Sequence, residues 1–300
     1  MFKSINAVEF AKRFPTNEEC YQYLSEKKWE HGYVCKVCGC NQYNKGKTSF
    51  HRRCKACRYD ESVTANTLFH DIKMPIIKAF YIMFRVAAKK KGMSTVELGC
   101  EVQVQQKSAW LFKRKIQLAM KKAKGAKLSG NVDVDEFIVG GRQKRQHGRI
   151  ANDKKVTLIA VENLGRGKVG NIYLEPIENF KADTLKYAIK EGVDPAAQIR
   201  TDDFVSYNTL GKEMNIKRVR SEKGKNFLEL HNQIMLFKNW LRGIHHKCSN
   251  EHYYAYCDEY CFRFNRRNTR RTIFEKLLST MLNLQPHPYS VLKTLSAYST

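Results

Sequence analysis

Two C-x2-C knuckles, Cys35-Lys-Val-Cys38 and Cys54-Lys-Ala-Cys57, stand fifteen residues apart. Each knuckle brings two thiolates to one tetrahedral ion from a tight turn, and two knuckles complete a closed structural site. The spacing therefore predicts one structural Zn²⁺ on Cys35, Cys38, Cys54 and Cys57. The residues between them, with Asn41, Gly46, Thr48 and the run Ser49-Phe50-His51-Arg52-Arg53, read as a hairpin, so the whole is a zinc ribbon. Cys40 and His51 are spare potential ligands that a complete quartet does not need. So small a ribbon has little core, and the metal supplies much of its folding free energy. Thr16-Asn-Glu-Glu19 has capping-box form and starts a short helix ahead of the ribbon.

The chain has 300 residues, 42% of them apolar, and a formal net charge of +25. That length allows one large domain or two to three modest ones, each with a real core. A field of this sign concentrates polyanions, and nucleic acid is the polyanion that basic residues in several separate clusters suit best. A basic protein without such a partner, or one that binds anionic membrane, is the plainer reading. Ten cysteines in this length do not make a disulfide scaffold. With no apolar signal-peptide core near Met1 and no apolar run longer than stretches such as AFYIMF (79–84), no membrane association and a reducing cytoplasm are expected. Close-spaced cysteines there suggest metal. Around the ribbon, Lys36, Lys47, Arg52, Arg53, Lys55 and Arg58 suit nucleic-acid contact; docking of a protein partner is the alternative.

From Pro75 to about Lys124 the pattern turns helical. IIKAFYIMFRVAAKKK has apolar residues at spacings of three and four, and Gly92 ends it. Ser94-Thr-Val-Glu97 is a second capping box, and Gln105–Lys122, with Lys113 and Arg114, is a basic helix. Short helix, turn and basic helix fit a helix-turn-helix that enters a major groove; a helical linker with a solvated basic face fits as well. Domains are thus expected at 1–70, 71–127 and 128–300.

NVDVDEFIVGG (131–141) alternates in strand fashion and gathers Asp133, Asp135 and Glu136. After a basic loop (142–149) come two strand-like runs at 154–163 and 168–177, a helix near 181–191, and IRTDDF, a short strand ending in Asp202-Asp203. NIKRVRS is a further short strand, and LELHNQIMLFKNWLRG (228–243) is a helix. The order of elements matches a ribonuclease H-like fold, whose first and fourth strands lie side by side, so their acids converge. Such a site can hold two Mg²⁺ ions, with carboxylates leaving positions for phosphate and nucleophile. A solvated strand edge and turn is the plainer account of the acids. In the helix, Phe227, Leu230, Ile234, Phe237 and Leu241 form a core stripe, and His231, Lys238 and Arg242 a neighbouring one.

These pieces in this order, the two knuckles, VDVDEFIVGG, IRTDDFVSY and HNQIMLFKNWLRG with YYAYCDEYCFRFNRR, resemble DDE-type insertion-sequence transposases with an N-terminal zinc ribbon and an ISXO-type catalytic domain. The resemblance spans about 15 to 280. It implies Asp135 and Asp202 as the first two ligands of catalytic Mg²⁺ or Mn²⁺, with Asp133, Glu136 and Asp203 as the nearest alternatives. The third family position, usually Glu and here counted back from Lys238, falls on His231; Glu229 is a rival carboxylate. His231 serves either as metal ligand or as phosphate and water contact. Lys238 and Arg242 would hold phosphates, and RFNRRNTRR (263–271), with Arg266 and Arg267, would clamp the DNA backbone. Cys257 and Cys261, one helical turn apart, read as core packing. The implied activity is cleavage of double-stranded DNA at an element's inverted-repeat ends and transfer of the 3′-OH to target DNA. The protein would work as a homodimer or larger assembly associated with the nucleoid. An inactive zinc-ribbon regulator and a ribonuclease H-like nuclease are the rival functions.

Overall fold

Along Asn131–Val139 (β4), even-numbered Val132 and Val134 are fully buried on one face, while odd-numbered Asp133, Asp135 and Phe137 share the other. That split organises the second of the two units into which the chain divides in a computed structural model describing residues 1–122, 125–140, 154–245 and 248–294. β5 (Lys155–Asn163) and β6 (Val169–Ile177) extend the sheet antiparallel from one side of β4. On its other side β7 (Gln198–Thr201) and β8 (Ile216–Arg218) run parallel. The resulting order, β6-β5-β4-β7-β8, is the ribonuclease H-like arrangement, with the first and fourth strands of the unit adjacent.

Helices cover both faces. α6 (Ala182–Gly192) and the one-turn α7 (Tyr207–Leu210) pack Leu185, Ala188, Ile189, Tyr207 and Leu210 against Val132, Val134, Leu158 and Ile199. On the opposite face α8 (Leu228–Ile244) and α9 (Asn250–Asn265) bury Leu230, Phe237, Leu241, Tyr253, Cys257 and Cys261 against Phe137, Ile159, Val161 and Leu174. Cys257 and Cys261 are packing residues, as expected. Gly141 and the basic loop 142–149 lie outside the described residues.

The other unit comprises Met1–Ala123 and Thr269–Lys293. α1 (Ala7–Arg13) and α2 (Asn17–Lys28) precede the ribbon strands β1 (Tyr43–Lys45), β2 (Arg52–Cys54) and β3 (Asp60–Glu61), which form an antiparallel sheet. Thr16 caps α2, accepting from the Glu18 N–H and meeting the Glu19 carboxylate. Three helices follow, α3 (Ile76–Ala88), α4 (Thr95–Val102) and α5 (Gln106–Lys122), and Ser94 Oγ caps α4 by accepting from the Glu97 N–H. Left-handed Gln103 makes the turn between α4 and α5, in helix-turn-helix form.

The domain boundaries differ from those expected. α10 (Ile273–Asn283) does not join the sheet unit: Phe274 sits among Phe2, Phe10, Phe14 and Phe80, and Glu275 accepts from the Phe2 N–H and meets the Tyr23 hydroxyl. Segments 1–70 and 71–127 likewise share this aromatic core. α10 buries Phe274, Leu277, Leu278 and Met281 along one face, and periodicity carries no information about which distant segment covers such a face.

Candidate active site

Strand phase decides which acids face α8. Asp133 and Asp135 point to it, whereas Glu136 is buried on the α6 side, where its carboxylate meets the Tyr207 hydroxyl. Glu136 is therefore turned away from His231. Asp133 is fully buried and held by Arg200 and by Asn163 Nδ2 at 2.8 Å. Asp135 remains partly open: its Oδ1 accepts from the Glu136 N–H at 2.8 Å, and its Oδ2 lies 3.4 Å from His231 Nε2.

Asp202 follows β7. The parallel register pairs Asp133 with Arg200, β7 ends at Thr201, and the turn after it carries Asp202 close enough for its charge to act on His231. Asp202 Oδ1 accepts from the Phe204 N–H at 3.1 Å, which fixes the turn. Asp203 points outward, 3.9 Å from the exposed Arg220 guanidinium. The contact with Asp135 raises the His231 pKa above its ordinary value, burial opposes the rise, and the Asp202 charge adds to it. Both acids therefore act electrostatically on the same imidazole.

His231, Lys238 and Arg242 line one groove of about 440 Å³ with Asp135, Phe137, Ile234, Met235 and Asn239. Lys238 Nζ lies 5.2 Å from the Phe137 ring centroid, and burial followed by the Arg242 charge lowers its pKa. A cation disfavoured by its own surroundings gains from an arriving phosphate. Glu229, in the first turn of α8, contributes instead to the field at Arg200.

Sequence reasoning missed Gly224. Its φ is +90°, and a Cβ there would stand 2.7 Å from His231 Nδ1. The backbone thus presses against one side of the imidazole while Asp135 meets the other. Gly224→Ala is expected to cost about 1 kcal/mol or more of stability from the strained φ, and to displace His231. A thermal melt and a cleavage assay check this; unaltered cleavage would show that the ring is not held from this side.

The two candidate metal sites differ in closure. The four knuckle sulfurs all lie within 4.8 Å of one another, the one such set of three or more potential ligands among the described residues. Cys35–Cys57 and Cys38–Cys54 Sγ separations are 3.5 Å. Ligands about 2.3 Å from a tetrahedral zinc stand about 3.8 Å apart, so the quartet fits that ion. Electrostatics agree. Against burial, N–H groups of Cys38 and Val37 bring the Cys35 thiol down to about 6. Despite the Cys40 N–H, Cys57 and Cys54 push Cys38 up to about 12. Four adjacent thiolates need a cation among them. Asp135, Asp202 and His231 are spread more widely. The 3.4 Å between Asp135 Oδ2 and His231 Nε2 approaches the roughly 3 Å of adjacent ligands on one octahedral ion, so these two groups are spaced as a hard divalent cation with water in its shell would need.

The basic residues expected at DNA divide. Lys113 and Arg114 are 2% and 4% exposed, which corrects their expected role as DNA contacts. α5 is enclosed from Phe112 to Gln117, and Lys113 Nζ donates to the Met93 carbonyl at 2.8 Å. Among its described side chains the exposed ones lie at the ends, Gln106 and Lys107 in the first turn and Lys121 in the last. Arg52 is packed 4.2 Å from the ring centroids of both Trp29 and Tyr43, and Arg53 pairs with Asp60 at 3.2 Å. Arg266 lies over Phe262, and Arg267 donates to the Val169 carbonyl at 2.6 Å. Arg242 is exposed at the groove.

Comparison with known proteins agrees with this architecture. Residues 127–265 match the ISXO2-like transposase domain, and residues 15–60 match the transposase zinc-ribbon domain. No curated protein matches the chain. The ribbon with its cysteine quartet and the five-stranded sheet with its facing acids are thus the two parts of one known architecture, and the chain belongs to the ISXO2-like transposases that carry an N-terminal zinc ribbon.

Proposed function

We propose that this chain cuts DNA at the ends of an insertion element and joins the freed 3′-OH to target DNA, using divalent cations held by Asp135, Asp202 and His231. The observation that carries the reading is the convergence of Asp135 and His231 at 3.4 Å in a groove lined by Lys238 and Arg242. Water attacks the phosphodiester at the element's end, the P–O3′ bond breaks, and the 3′-oxygen leaves with a proton. The freed hydroxyl then loses its proton and attacks a target phosphodiester at phosphorus, the target P–O3′ bond breaks, and the target 3′-oxygen leaves with a proton. Bound Mg²⁺ or Mn²⁺ would polarise the phosphate and favour ionisation of the nucleophile. Asp135 and Asp202 would supply the anionic oxygens for that ion, and His231 would complete the set as the neutral imidazole. Lys238 and Arg242 neutralise flanking phosphates and set the strand along the groove. Further contacts come from the ribbon surface and from Gln106 and Lys107 at the start of α5. Two DNA ends acted on together call for at least a homodimer.

The test incubates full-length protein with element-end DNA and a target duplex in Mg²⁺, in Mn²⁺ and without metal, scoring cleavage and joining separately. Both products, in metal only, are expected. Cleavage without joining would indicate a nuclease, and DNA binding without cleavage a regulator. His231 has its own arm: His231→Ala should lower cleavage about 100-fold, roughly the value of one lost ligand or transition-state contact. His231→Glu should retain cleavage if the position is a ligand, and should fall with Ala if it is a proton-donating contact.

A further inference from the structure

Asp135, Asp202 and His231 stand on β4, just after β7 and on α8, and one side chain of β7 reaches both β4 and the residue that precedes α8. Arg200, on β7, donates from Nε to Asp133 Oδ1 at 2.6 Å and from Nη2 to Asp133 Oδ2 at 2.8 Å. Asp133, on β4, is fully buried and takes a further hydrogen bond from Asn163 of β5. The Arg200 Cζ lies 5.6 Å from the ring centroid of Phe227, the residue immediately before α8. Asp133 and Arg200 are partners in the parallel register, and each stands two residues before an acid of the proposed site. Two residues are one side-chain repeat of a strand, so the pair locks the rung below Asp135 and Asp202. A slip of one residue would turn Asp202 to the opposite face.

We propose that Arg200 is a positioning residue for DNA cleavage: its fork on Asp133 fixes β7 against β4, and its outer side seats the start of α8. The proposal rests on the reading of Asp135, Asp202 and His231 as the cutting centre. Arginine is required for its geometry. A planar guanidinium grips both carboxylate oxygens at once and leaves a face for the Phe227 ring, whereas an ammonium is a point charge that does neither.

Arg200→Lys keeps a cation beside the buried Asp133 but loses the fork, so it separates charge from geometry; Arg200→Gln removes both. In the full-length Lys variant, amide hydrogen exchange is expected to accelerate at least about tenfold in 198–202 and 228–235, with β5 and β6 keeping their protection. The Mn²⁺ midpoint for cleavage should rise at least about tenfold, with DNA binding within about threefold of wild type, because the ligands are present but no longer preorganised. Unchanged local exchange together with an unchanged Mn²⁺ midpoint in Arg200→Lys would overturn the proposal, since charge alone would then suffice. Protection lost evenly through the sheet in both variants would also overturn it, leaving Arg200 a general stabiliser of the fold. Should the wild-type protein cut no DNA in either metal, the active-site reading fails, and the exchange pattern alone decides whether Arg200 sets β7 and α8.

Discussion

Asp135→Asn is expected to leave the protein folded and able to bind DNA while lowering cleavage and joining together by at least about 10³-fold, roughly 4 kcal/mol of transition-state stabilisation. The exchange is nearly isosteric, and the Asp135 side chain is 19% exposed, so no buried charge is stranded. The asparagine oxygen can still accept from the Glu136 N–H. What disappears is the anionic oxygen 3.4 Å from His231, which is also what holds the imidazole toward the site. Asp133→Asn should behave differently. It removes the buried carboxylate that Arg200, itself a third exposed, grips, so its main effect is on folding, about 1–3 kcal/mol. A melt run beside the cleavage assay separates them: lost activity at unchanged stability for position 135, lost stability for position 133. Full activity in Asp135→Asn would remove Asp135 from the mechanism.

The second large effect is on the ribbon. β1, β2 and β3 have three, three and two residues, too few to fold without support, and the buried Cys35 and Cys54 face the metal position instead of an apolar core. A structural zinc of this type contributes about 10–16 kcal/mol at neutral pH. Stripping zinc with a chelator, or replacing Cys54 by Ser, is therefore expected to abolish amide protection from Tyr33 to Glu61 and lower affinity for element-end DNA at least about tenfold. Residues 155–163 and 169–177, in the other unit, should keep their protection. Zinc release is followed with a chromogenic chelator, and exchange by mass spectrometry. An intact ribbon after complete zinc removal would contradict the assignment.

Much of this was legible in the sequence because the relevant signals are local or periodic. C-x2-C spacing specifies a metal turn; Thr16 and Ser94 announce α2 and α4; and VDVDEFIVGG shows its strand by alternation. Element order then gave the sheet; strand phase separates Asp133 and Asp135 from Glu136, and the family resemblance chose Asp135, which lies 3.4 Å from His231. What the sequence hid is non-local. Lys113 and Arg114 look like solvated cations until other segments enclose α5. Arg266 and Arg267 fold back onto Phe262 and Val169, contacts set by tertiary packing. Arg200 carried a readable hint, standing two residues ahead of Asp202 as Asp133 does ahead of Asp135, but its pairing needs the parallel register. Gly224 gave none, because a close approach to His231 is a property of the folded backbone alone.

The central claim is that Asp135, Asp202 and His231 form one divalent-metal site. The measurement that addresses it most directly is anomalous diffraction from crystals of the protein–DNA complex soaked in Mn²⁺. Manganese density between the Asp135 and Asp202 carboxylates, with His231 at the same ion or at its bound water and the scissile phosphate beside it, is the predicted result. Density at Asp203 or Glu229, or none near Asp135 when the element-end DNA is in place, would contradict it.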